Sequence, residues 1–121
     1  MTTMYVLYLL LALFAKHFVV DFPMQGPYQY KNKGTYGHPG GILHAWGHFL
    51  GTYICFIFLT KYAIVYAAFD FVVHYHVDWA KMNINAKMGW GPTTHEQFWW
   101  LLGADQFLHS LTYIGMVMVL V

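Results

Sequence analysis

Apolar residues run almost unbroken through TMYVLYLLLALFAKHFVVDF, residues 3–22, and three further stretches, 41–60, 61–81 and 94–121, are similarly rich in Leu, Ile, Val, Phe and Trp. Each matches the roughly 20 helical residues that a bilayer crossing requires. Between them, FPMQGPYQYKNKGTYGHPGG and MNINAKMGWGPTT collect the Pro, Gly and Asn at which helices stop. The second and third stretches meet around Thr60 and Lys61 with almost no linker, which predicts a tight antiparallel hairpin. The pattern predicts an all-α, integral membrane four-helix bundle, a single domain over residues 1–121. Both termini lie on one side and both long loops on the other. Thr93 and Glu96, following Pro92, read as a capping box opening the last helix. At 1.5 Å per residue that helix is roughly 42 Å long, so its first turns project beyond the lipid.

Ionisable residues interrupt every apolar stretch in one way. The four spans contribute His17 with Asp21, His44 with His48, His74 with Asp78, and Asp105 with His109, each pair four residues apart and so on one helix face. Random placement of the Asp, Glu and His residues gives about 1.3 pairs at this spacing, whereas five occur once Asp70 with His74 is included. Counted from the loop ends at 1.5 Å per residue, the pairs fall in two layers, roughly 3 to 5 Å and 9 to 11 Å deep. Asp21, His44 and Asp78 form the shallower layer, and His17, His48 and His74 the deeper one. Asp105 and His109 reach these levels through their projecting helix. Ionisable groups inside a membrane cost roughly 2.5 to 3.5 kcal/mol each and face a bundle interior or a wet cavity. Eight at one level need compensating charge. Imidazole with carboxylate suits zinc first, with iron or manganese as alternatives, and eight ligands are enough for two transition-metal ions. A metal-free proton relay is the competing account of the same residues. Asp70, one turn deeper than His74, reads as the carboxylate that orients that imidazole. His76 reads as interfacial, and His38 and His95 as loop residues.

Composition sharpens this picture. Hydrophobic residues make up 59% and charged residues 9% of the chain, far from the roughly 25% charged of soluble domains. Tyr and Trp near the ends of the apolar runs suit a lipid–water interface. The net charge of +1 and the lack of a basic patch exclude a nucleic-acid partner. MTTMY carries no lysine or arginine, which argues against a signal peptide. Cys55 is the lone cysteine and forms no internal disulfide. Lys31, Lys33, Lys81 and Lys87 lie in the long loops against Lys61 on the other side. Lysine excess marks the cytoplasmic face, so the site faces the cytoplasm.

HFVVDFPMQ, LHAWGHFLG, HYHVDWAK and DQFLH together resemble a histidine-rich membrane family of bacteria and tailed phages, domain of unknown function 3307. The resemblance spans nearly the whole chain and takes in His17, Asp21, Gln25, His44, His48, His74, Asp78, Lys81, Asp105, Gln106 and His109. It implies no established activity and allows a phage-encoded origin. The pattern is also similar, more weakly, to small inner-membrane metal-dependent hydrolases, which implies hydrolysis. The resulting expectation is a two-metal hydrolase in which an activated water attacks a phosphoryl or acyl centre. Lys81 and Gln25 contact substrate oxygens, and Asp105 joins the catalytic set. The substrate is a membrane lipid head group or a small soluble metabolite, and an oligomer is compatible with the pattern. With Ser110 the sole serine and no G-x-S-x-G, no serine-nucleophile motif competes. The alternatives are a di-iron oxygenase or hydroxylase, a metal or proton conductor, and a phage membrane protein acting on a host partner.

Overall fold

A computed structural model of the protein describes residues 2–121, and its elements are all helices: α1 (Thr3–Asp21), α2 (Pro27–Tyr30), α3 (Pro39–Phe56), α4 (Ala63–Met88) and α5 (Glu96–Leu120). The Thr2 side chain caps α1 by accepting from the Tyr5 N–H. Pro27 and Pro39 each occupy the first turn of their helix, where a missing N–H costs nothing. The His38 ring caps α3, with Nδ1 accepting from the Gly40 N–H at 3.0 Å.

Several boundaries differ from those the apolar pattern predicts. α3 stops at Phe56, and residues 57–62 form turns, so the α3–α4 connection is looser than a joint at Thr60 and Lys61. α4 runs past residue 81 to Met88, where Gly89 in the left-handed conformation (φ 68°) stops it. Hydrophobic periodicity fades before this end because its last two turns face the first loop and the start of α5 with mixed polar and apolar residues such as Met82, Asn83 and Asn85. The capping box on Thr93 and Glu96 does not form. α5 starts two residues later behind His95, which offers no side-chain cap; Thr94 Oγ1 and the Gly91 N–H instead meet His95 Nδ1 at 2.8 and 3.3 Å.

The four long helices pack as a ring, α1 against α3, α3 against α4, α4 against α5 and α5 against α1, with α2 folded onto α3. Residues late in α1 and α4 meet residues early in α3 and α5, so neighbours run antiparallel and the chain ends share one side. The bore of the ring is stratified. At the terminal end, Leu9, Leu13, Phe56, Ala63, Met116 and Val117 form an apolar plug. Lys16, Thr52 and Asp70 lie in the middle, with the Tyr113 hydroxyl reaching them from the plug, and the histidines and other aspartates fill the loop end.

The outer faces are apolar: Leu11, Phe14 and Phe18 on α1, Leu50 and Ile54 on α3, Val65 and Phe69 on α4, and Phe107 and Leu111 on α5 are all exposed. Of the four expected spans, α1 alone among the described residues is long and apolar enough in composition to cross a membrane. The site-forming histidines and aspartates lower the mean hydropathy of the other three.

Candidate metal centre

Each ligand candidate sits on an inward stripe because its i,i+4 partner shares its helix face. Seven of the eight, Asp21, His44, His48, His74, Asp78, Asp105 and His109, are buried; His17 is partly so. Asp21 closes α1 and forms one hub. Its Oδ1 lies 3.0 Å from His44 Nε2, 2.7 Å from His48 Nε2 and 3.3 Å from His74 Nε2. Asp78 forms the second hub, with Oδ2 3.2 Å from His44 Nε2 and 3.1 Å from His74 Nε2, and Oδ1 3.2 Å from His109 Nε2. The two layers read from helix depth therefore merge into one continuous cluster. The ring of His74 stacks between those of His48 and His109, with centroids 3.5 and 3.8 Å away.

Two overlapping groups have ligand atoms mutually within 4.8 Å: Asp21, His44, His48 and His74, and then His74, Asp78 and His109. Three imidazoles with one carboxylate make a four-donor set of the kind that holds a transition-metal ion. Their orientation fits such an ion. His44 Nε2, His74 Nε2, Asp78 Oδ2 and Asp105 Oδ1 are buried and lack a hydrogen-bond partner, although each lies 3.0–3.3 Å from another nitrogen or carboxylate oxygen of the cluster. The atoms converge without the angles of a hydrogen bond, as lone pairs do when they share a cation. Left without one, each would incur a desolvation cost of about 1–3 kcal/mol.

His17 and Asp105 flank this cluster. His17 Nε2 lies 2.7 Å from Gln106 Oε1 and 3.1 Å from Asp21 Oδ2, and its Nδ1 lies 3.0 Å from the Tyr113 hydroxyl. Asp105 Oδ1 approaches His109 Nε2 at 3.2 Å, while its Oδ2 accepts from Lys81 Nζ at 3.4 Å and Gln106 Nε2 at 3.0 Å. The Gln25 amide turns back to donate to the Asp21 carbonyl, with its Oε1 buried and unpartnered. Asp70 makes its hydrogen bonds away from His74: it accepts from Lys16 Nζ at 2.9 Å and from Thr52 Oγ1 at 2.6 Å. His76 is exposed and meets the Tyr36 hydroxyl at 2.9 Å.

Spacing within helices did not point to three supporting residues. Lys16 Nζ lies 2.9 Å from each of His48 Nδ1, Asp70 Oδ2 and the Tyr113 hydroxyl, forming the floor of the site. Its signal was a lysine inside an apolar run, at the depth of the carboxylate of Asp70 on another helix. Gln29, on α2, meets His44 Nδ1 at 3.2 Å, an outer contact that fixes the ring with Nε2 turned inward. Lys33, from the first loop, is buried over the cluster with Nζ 3.6 Å from Asp78 Oδ2. That loop is fastened to α4 by Asn83 Nδ2 donating to the Gly34 carbonyl at 2.8 Å and by the Gly37 N–H donating to the Tyr75 hydroxyl at 2.7 Å.

The arrangement is thus a shielded donor set with cationic side chains at its floor and roof. Neither the curated proteins nor the solved structures contain a match to this chain. The model of one protein family, described as a protein of unknown function (DUF3307), covers residues 9–121, and the chain belongs to that family.

Proposed function

We propose that the protein is a membrane-embedded, metal-dependent hydrolase whose His/Asp cluster holds two transition-metal ions near the cytoplasmic face. The observation that carries this reading is the convergence of buried, hydrogen-bond-free nitrogen and carboxylate atoms at the two hubs, Asp21 and Asp78. A single imidazole nitrogen serves one ion, so Asp21, His44, His48 and His74 suit the first, while Asp78, His109 and Asp105 suit the second. Such a pair, when bound, polarises a phosphoryl or acyl oxygen and acidifies a water. The chain does the rest. Lys33 and Lys81 approach from the loop side and neutralise charge on the substrate. Asp105, which would offer Oδ1 to the second ion, positions Lys81 through Oδ2, 3.4 Å from Nζ.

Membrane embedding is supported by the inverted distribution of polarity. Lys16, Thr52, four aspartates and four histidines are buried, while the exposed faces of all four long helices carry large apolar side chains. α1 and α3, at about 28 and 27 Å, match the roughly 30 Å hydrocarbon layer. The apolar plug at the terminal end interrupts any polar path through the bore, which favours an enzyme over a conductor.

The test is metal content followed by turnover. Protein purified without chelator is expected to carry close to two zinc, manganese or iron ions per chain. Chelation is expected to abolish hydrolysis of a phosphate ester or an amide, and Zn or Mn to restore it without oxygen or reductant. A strict requirement for iron, oxygen and an electron donor would replace hydrolysis with oxygenation.

A further inference from the structure

Two cavities flank Lys81 on the loop side of the cluster, and of the donor set only Asp105 lines either of them. One, of about 240 Å³, lies under the first loop and is lined by Tyr30, Lys33, Lys81, Phe98 and Leu102 among others. The second, of about 280 Å³, opens outward in the seam between α4 and α5, past Val77, Ala80, Ile84, Ala104 and Leu108, and reaches Asp105. Lys81 and Leu101 line both. The seam has room because Ala80 and Ala104 face a place where larger side chains would close it. Its mouth is continuous with the exposed apolar surface of α5 at Phe107, Leu108 and Leu111. At its inner end lies the 3% exposed Asp105, whose Oδ1 has no hydrogen-bond partner.

The geometry points to an anionic amphiphile as the ligand of this seam: its phosphate or carboxylate head sits between Lys33 and Lys81, and its hydrocarbon chain leaves the bundle laterally between α4 and α5. This deepens the proposed function and rests on it for the reaction, although the binding itself requires no turnover. The charges favour this occupant. Lys33 and Lys81 contact Asp78 and Asp105 at 3.6 and 3.4 Å, distances at the loose end of ion pairing. Cations held by those carboxylates would compete with the lysines and leave two ammonium groups facing an anion. A water-soluble anion would use the lysines alone, whereas the seam offers an apolar channel that only a ligand with a tail fills.

The experiment uses metal-loaded full-length protein in phosphatidylcholine vesicles containing a trace of phosphatidic acid with a diazirine in one acyl chain. After illumination, adducts are mapped by mass spectrometry. Labelling concentrated on residues 77–84 and 101–108, competed by unlabelled phosphatidic acid and unaffected by millimolar inorganic phosphate, is the expected result. Ala104→Phe, or Ala80→Phe should the first misfold, is expected to cut seam labelling about tenfold with metal content retained. Lys33→Gln combined with Lys81→Gln is expected to do the same while labelling by an uncharged diacylglycerol analogue persists. Competition by inorganic phosphate would mean that a soluble anion is the ligand and would overturn the proposal. So would label spread evenly over the outer faces of α1 and α3, or insensitivity to both kinds of substitution. Absence of metal or of turnover, with seam labelling intact, would sink the hydrolase and leave the amphiphile site standing.

Discussion

His48 shows how much one side chain carries at this site. Its Nε2 meets Asp21, its Nδ1 meets Lys16, and its ring stacks on His74. His48→Ala is expected to lose metal and thermal stability together, because it removes one of the four donors gathered with Asp21 and leaves a void between Lys16, Asp21 and His74; inductively coupled plasma analysis beside thermal unfolding in detergent checks both. The buried Lys16–Asp70 pair gives a second prediction. Lys16→Met leaves Asp70 with Thr52 alone and should cost about 3–5 kcal/mol, the usual penalty for orphaning one member of a buried pair. Adding Asp70→Asn should recover most of that loss, and a double-mutant cycle on unfolding free energies measures the coupling. Of these groups, His48 was legible from its spacing to His44. The role of Lys16 was not, because its three partners lie on three other helices and no periodicity within α1 encodes them.

Among the elements, α1 and α3 end where the apolar pattern predicts to within a few residues, and α4 and α5 extend about 15 Å past the level of the site toward the loops. Their projecting ends and the first loop wall the cluster. α2 is held close by two glycines of α3: a Cβ on Gly40 would meet the Tyr28 carbonyl, and one on Gly41 would lie 2.9 Å from Lys33 Cα. Gly40→Ala should therefore displace α2, withdraw Gln29 from His44 and Lys33 from Asp78, and weaken metal affinity roughly tenfold, the lower range for loss of an outer contact. Gly26→Ala, where a Cβ meets nothing within 4 Å, is the matched control and should leave affinity unchanged. Titration with a competing chelator distinguishes the two. The clasp was invisible in the sequence because Gly, Pro and Tyr in a loop signal turns without saying where the loop docks.

For the whole molecule, the predictions concern polarity and orientation. With a polar bore inside apolar faces, the protein should stay in the membrane fraction through alkaline carbonate washing, and release into the supernatant would refute embedding. A cysteine at Lys31 or Lys87, in a background lacking Cys55, should be shielded from an impermeant thiol reagent in intact cells, while one at Thr2 should react. The reverse pattern would place the cluster on the outer face.

The sequence by itself determined the helical class, the four long helices, and the gathering of their paired histidines and aspartates near one end of the bundle. All of these follow from period and rise, which are local properties of a helix. Only the tertiary structure decided how the ligands divide. It placed His74 between both hubs, drew His17 aside to Tyr113 and Gln106, and set Lys16 beneath the cluster. Those outcomes depend on the rotation and axial offset of each helix against its neighbours. These are fixed by packing of the Leu9, Leu13, Phe56 and Met116 plug and by the fastened first loop, which no single helix records.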